Sequence, residues 1–120
     1  MWTVLTTSDF DEWFEGTPER VRVEVAAKIG FLRTLGPALK RPHADTLTGS
    51  KHANMKELRI RTPGAEVRIA FAFDPARMAI LFCAGNKVGV NQRRFYKQLI
   101  ELADDLFDAH LENLRKHGGA

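Results

Sequence analysis

Residues 56–86 constrain this chain more than any other stretch, because they read as three strands joined by two tight turns. Leu58 and Ile60 fall on one parity, and Glu57, Arg59 and Arg61 on the other. Alternation of that kind fits a strand with one buried face and not an amphipathic helix. Thr62-Pro63-Gly64-Ala65 follows, with Pro and Gly in the central positions of a type II turn. Val67, Ile69, Phe71 and Phe73 then share a face, with Arg68, Ala70 and Ala72 opposite. After a second turn at Asp74-Pro75-Ala76-Arg77, Met78–Cys83 is apolar on both parities, which marks a central strand.

The first turn also sets a register. With Thr62 opposite Ala65, Arg61 faces Glu66, Ile60 faces Val67, and Arg59 faces Arg68. Two cations opposite each other on an antiparallel ladder repel, and the repulsion is relieved by an anion between them or by solvent. Ala70, Ala72, Ala79 and Cys83 are assigned to the same face, where small side chains leave room for a ligand. The expectation is a shallow basic groove on a sheet; the plainer alternative is two solvated arginines.

Charge supports the first reading. The net +3 of the whole chain conceals a segregation: residues 1–39 are net −2, residues 40–97 net +8, and residues 98–120 net −3. A basic middle favours a polyanion, nucleic acid above all. The 120 residues are expected to form one domain, 1–120, able to bury about two-thirds of the surface of its unfolded chain. No apolar run approaches a membrane span, and the first residues lack a signal-peptide pattern. A single cysteine, Cys83, excludes an internal disulfide, and no Cys/His spacing suits zinc. The expected setting is cytoplasmic.

Around the sheet the chain reads as helices and one polar loop. Trp2–Thr6 is a short β-prone run. Ser8 is placed as the cap of a short helix ending at Gly16, and Thr17-Pro18 as the start of a second, with Val21, Val25, Ile29, Leu32 and Leu35 at helical spacing and Gly36-Pro37 as its stop. Residues 38–54 lose periodicity and carry His43, Lys51 and His52. Either histidine suits acid–base work near neutrality or hydrogen bonding within the loop. Lys51 and Lys56 flank the entry to the first hairpin strand as phosphate contacts or as ordinary surface lysines. The glycine-bearing loop at residues 84–91 matches no phosphate-loop motif. Asn91 or a neighbour caps a long last helix with Phe95, Leu99, Leu102, Leu106 and Leu111 or Leu114 as its stripe. Arg93, Arg94, Tyr96 and Lys97 crowd its first turns, against the helix dipole, and residues 115–120 read as a frayed tail.

The runs Arg41-Pro42-His43-Ala44-Asp45-Thr46-Leu47-Thr48-Gly49-Ser50-Lys51-His52 and Met55-Lys56-Glu57-Leu58-Arg59 resemble the RelE/ParE toxin superfamily, in its phage-derived HigB-like branch. The resemblance continues through Arg68–Arg77, Gly85-Asn86-Lys87 and Arg94-Phe95-Tyr96. It implies an α+β, RelE-like fold, with an N-terminal helical hairpin packed on a small, mainly antiparallel sheet and a C-terminal helix. It further implies the toxin of a type II toxin–antitoxin pair, cleaving mRNA on the ribosome without a metal or cofactor. Its partners would be the ribosome, mRNA and a cognate helix-turn-helix antitoxin. Carried onto this chain, the catalytic positions are Lys56, Arg68 and Tyr96, with His52 adding acid–base capacity. The RNA contacts are Arg59, Lys51, Lys87, Arg93 and Arg94. The rival readings are a non-catalytic binding module and a ParE-like gyrase poison.

Overall fold

A computed structural model describes residues 1–117. In chain order it holds β1 (Thr3–Thr6), α1 (Ser8–Glu15), α2 (Glu19–Leu35), a 3-10 turn at Gly36–Ala38, β2 (Ala44–Thr46), β3 (Lys56–Thr62), β4 (Ala65–Phe73), β5 (Met78–Asn86) and α3 (Gln92–His117). The five strands form one sheet in the order β1-β5-β4-β3-β2. Only β1 runs parallel to its neighbour, β5; all other pairs are antiparallel. The chain is therefore α+β, and the expected register through the first turn is met residue for residue, Arg59 facing Arg68.

The sheet separates two cores. On one face Leu58, Ile60, Val67, Ile69 and Phe71 pack against Phe10 of α1 and Val21, Val25 and Leu32 of α2. On the other, Ala70, Ala72, Ile80, Phe82 and Cys83 pack against Leu99, Ala103 and Phe107 of α3. This overturns the shallow groove. The small residues on the Arg68 face make room for a helix, not a ligand, and Ala79 lies on the opposite face. A β-bulge causes the difference: the β4–β5 pairing steps from Ala70–Cys83 to Phe71–Leu81, so Phe82 and Cys83 both turn toward α3. Burial pushes the Cys83 thiol up to about 12.

Other differences are local. Thr7, not Ser8, caps α1, its hydroxyl accepting from the Phe10 N–H at 3.1 Å. Pro18 sits at the cap position of α2, and Thr17 donates instead to the Trp13 carbonyl at 2.7 Å. The loop at 38–54 contributes the short edge strand β2, β5 runs three residues further than expected, and Leu35 and Leu102 are exposed. Asn91 does cap α3, accepting from the Arg94 N–H at 2.9 Å. That helix continues through Arg115–His117, correcting the frayed tail over those residues; 118–120 lie outside the described residues.

At the end of α2, Gly36 has φ of 54°, and a Cβ built there would lie 2.1 Å from the Trp2 indole nitrogen. Trp2 is itself packed on Phe73 with ring centroids 5.1 Å apart. Gly36→Ala should therefore combine backbone strain with overpacking and lower stability by about 2–4 kcal/mol. Urea unfolding checks this, and a midpoint unchanged from wild type would contradict it.

Candidate active site

Where Arg59 of β3 faces Arg68 of β4, the protein supplies its own anion. Glu57, two residues before Arg59 on the same face, is 4% exposed. Its Oε2 accepts from Arg59 Nη1 at 2.8 Å, and its Oε1 accepts from the Tyr96 hydroxyl at 3.0 Å. Arg68 Nε lies 3.7 Å from the same Oε1 and donates to the Tyr96 oxygen at 3.2 Å. Arg68 Nη1 donates to the Val67 carbonyl at 2.9 Å. Two guanidiniums, one carboxylate and one phenol thus form a single network contributed by β3, β4 and α3, with Glu57 and Arg68 buried and Arg59 and Tyr96 half-buried. The alternation placed Glu57 beside the arginines, but as a bystander; the signal for it was the uncompensated Arg59–Arg68 pair itself.

Lys87 extends the network, its ammonium 5.6 Å from the centre of the Tyr96 ring. Burial first, and the Arg68 charge second, pull that ammonium below its usual range. Burial, and behind it the Glu57 charge, push the Tyr96 phenol up, so it stays a proton donor at neutral pH. Gly85, opposite Arg68 on β5, lets α3 close on this end of the sheet: a Cβ there would meet the Phe95 ring at 2.9 Å.

Arg68, Tyr96, Arg59 and Lys87 are therefore brought together, and the remaining expected residues are not. Lys56 pairs with Phe71, on the α2 side of the sheet, so the strand separates it from Tyr96. His52 Nε2 lies 2.8 Å from Asp108 Oδ1, with its ring 4.6 Å from Phe107. Lys51 pairs with the same Asp108. Twelve residues of helix separate Asp108 from Tyr96, about 18 Å along the axis, so His52 and Lys51 clip the loop to α3 far from the arginines. Arg93 and Arg94 are exposed and line an outer groove of α3 with Lys97 and Glu101. His43 lies on the α2 side, its Nδ1 2.7 Å from the Lys28 ammonium.

β2 pairs with residues 56–58 and the His43 carbonyl accepts from the Arg59 N–H at 2.8 Å, which leaves the edge of β3 open from Ile60 onward among the described residues. A cleft of about 410 Å³ lies there, lined by Glu24, Lys28, Arg41, Arg59, Arg61 and Arg68 among others. Arg68 Nη2 has no hydrogen-bond partner among the described residues, so the buried guanidinium keeps donors for the cleft. Among the described residues no group of three or more His, Cys, Asp or Glu could hold a metal ion, and no helix is long and apolar enough to cross a membrane.

The Gp49-like family of phage-derived proteins matches residues 12–108. The chain belongs to that family. It is 48% identical over 100 residues to HigB2 of Mycobacterium tuberculosis, a candidate toxin, covering 82% of this chain but 49% of the relative, so it spans about half of HigB2's length. A second candidate toxin of that organism, HigB3, is 39% identical over 116 residues, 97% of either chain. Among solved structures, a mutant of the E. coli toxin RelE in the free state superposes with a TM-score of 0.58 at 9% identity, over 83% of this chain and 94% of that one. The isolated RelE toxin gives 0.55 at 10%, over 84% and 97%. Those identities speak for the fold alone: it is RelE-like, and the HigB-like resemblance read from the sequence is borne out.

The network makes Arg68, 2% exposed, a structural as well as a chemical residue. Arg68→Ala leaves Glu57 with one cation fewer in a dry environment and should lower stability by about 2–4 kcal/mol. Chemical denaturation measures this, and a loss below about 0.5 kcal/mol would show the cluster to be solvated.

Proposed function

We propose that this chain is the toxin of a type II toxin–antitoxin pair and that it cleaves mRNA on the ribosome as a metal-independent endoribonuclease. The observation that carries the reading is the Glu57 carboxylate held between Arg59 and Arg68. An internal anion at that spot occupies the place a scissile phosphodiester would take, and a pair of arginines suits a phosphate better than lysines would. The family match and the toxin names of HigB2 and HigB3 support the coarser part.

In the proposed reaction the substrate phosphate takes over donors of Arg59 and Arg68, and the displaced Glu57 carboxylate accepts the proton of the neighbouring 2′-hydroxyl. The 2′-oxygen bonds to phosphorus, the bond from phosphorus to the 5′-oxygen breaks, and that oxygen takes a proton from Lys87. The products are a 2′,3′-cyclic phosphate and a 5′-hydroxyl, with no oxidant or metal needed for balance. The two guanidiniums stabilise the charge that builds on the phosphorane. Tyr96, a protonated phenol beside Lys87, orients Glu57 and offers a ring on which a base stacks. Lys56, on the far side of the strand, serves as a backbone contact and not as a proton carrier in this scheme.

An antitoxin with a helix-turn-helix domain completes the proposed pair. Support for such a partner comes from RelE in the intact E. coli RelBE toxin–antitoxin complex, which shares the fold with a TM-score of 0.52 at 8% identity over 71% of this chain and 95% of that one.

Induction of the wild-type chain without its antitoxin should stop growth and cut translated messages. Glu57→Gln, which keeps the shape and removes the base, should reduce cleavage on purified ribosomes by about 10²–10⁴-fold. Cleavage by this variant at the wild-type rate would remove Glu57 from the chemistry. Intact messages alongside a DNA-damage response in the induced cells would replace the nuclease reading with a gyrase poison.

A further inference from the structure

We infer that the cleft at the open edge of β3 is a second backbone-binding subsite for single-stranded RNA, whose distinctive donors are Lys28 of α2 and Arg41 of the turn before β2. The inference rests on the nuclease reading and extends it, because neither residue lies on the sheet face that carries Tyr96.

Lys28 is a positioned cation, not a loose surface lysine. Its ammonium contacts His43 Nδ1 at 2.7 Å, and the His43 ring is braced against Phe31 with centroids 4.9 Å apart. An ammonium has three N–H donors, and the bond to His43 occupies one. Burial lowers the Lys28 pKa despite the opposing pull of Glu24, so placing the group there costs free energy that an incoming anion would offset. Arg41 is ion-paired with Asp45, its Nε at 2.9 Å and its Nη2 at 2.7 Å from one carboxylate oxygen, which fixes the guanidinium and leaves Nη1 available to the cleft.

The lining also says what kind of ligand suits the cleft. Among the described residues five cations line it with one carboxylate, Glu24, a helical turn before Lys28. Asp45, Glu57 and Glu66, outside the lining, pair with Arg41, Arg59 and Arg61 and leave Lys28 and Arg68 as its less compensated charges. Among the described residues Pro42 and Ile60 are its only apolar side chains, so an acidic peptide would find little to anchor. No aromatic ring among the described residues lines it, which favours contact with a sugar–phosphate backbone over base stacking. Arg59 and Arg68 line the cleft and also bind Glu57, so a strand whose scissile phosphate sits between them enters the cleft without a gap. Arg41 further lines a groove of about 470 Å³ with Lys40 and Lys56, which carries the basic path on past β2 and gives Lys56 a place in it.

A fully 2′-O-methylated, fluorescein-labelled single-stranded octanucleotide, which cannot be cleaved, is the probe, with binding followed by anisotropy between 50 and 300 mM KCl. The double variant Lys28→Gln/Arg41→Gln should bind about five- to twentyfold more weakly at low salt, and its log–log salt slope should fall by about 1.4, two phosphate contacts at about 0.7 each. The charge-preserving Lys28→Arg/Arg41→Lys should retain the wild-type slope, which separates loss of charge from loss of fold. An unchanged slope in the Gln variant overturns the inference, as does absence of wild-type binding or displacement of the probe by polyglutamate at lower charge concentration than by unlabelled RNA. Cleavage is scored separately on ribosomes. Charge-dependent binding without any cleavage would leave the subsite standing and remove the nuclease reading; cleavage with no effect of Lys28 and Arg41 on binding would do the reverse.

Discussion

A carboxylate taken out of water is expensive unless charged donors surround it, and Glu57 is surrounded. Its three partners come from three elements, so satisfying one anion fixes β3, β4 and the start of α3 relative to one another. The first turns of α3 need such an anchor, since Arg93, Arg94 and Lys97 gather where the helix dipole repels them. Tyr96 reaching Glu57, together with Phe95 seated over Gly85, supplies it. The same contacts hold Arg68 apart from bulk solvent while Arg59 stays partly exposed, and the low-dielectric setting of Arg68 is what makes its charge useful to a bound phosphate.

The far half of α3 is held by a different set of acids. Asp104 accepts from the Ser50 hydroxyl, and Asp108 engages both Lys51 and His52. Asp74, buried in the β4–β5 turn, lies 2.7 Å from His110 Nε2 and accepts from the Met78 N–H at 2.9 Å. Two acids of the C-terminal segment thus pin the 38–54 loop, and Asp74 ties the β4–β5 turn to His110 of the same helix.

Where hydrophobic alternation had a phase, the sequence was legible to the residue. The hairpin register and the Arg59–Arg68 confrontation follow from Leu58, Ile60, Val67 and Ile69 with one turn, and the structure has both. Met78–Cys83 carries no phase, being apolar on both parities, so the bulge and the true faces of Ala79 and Phe82 had no signal to betray them. Lys56 shares its parity with Leu58, which already put it on the core side; resemblance to a family grouped it with Arg68 and Tyr96 nonetheless. The engagement of His52 with Asp108 joins residues 56 positions apart through side chains alone, a contact that no local pattern encodes.

The bulge in β5 has a further consequence. Before it, Ala79 and Leu81 serve the helices of the N-terminal half; beyond it, Gly85 sits opposite Arg68 on the face beneath α3. One strand is therefore read in two frames, with the extra residue at Phe82–Cys83 as the splice. Deleting that extra residue would join Leu81 directly to Cys83 and leave each half of the strand on its present face, whereas a single-residue deletion elsewhere in β5 would turn the residues beyond it to the wrong side. Chains that share this architecture are consequently free to vary in length within their loops, but within β5 a single residue can be gained or lost only at the bulge.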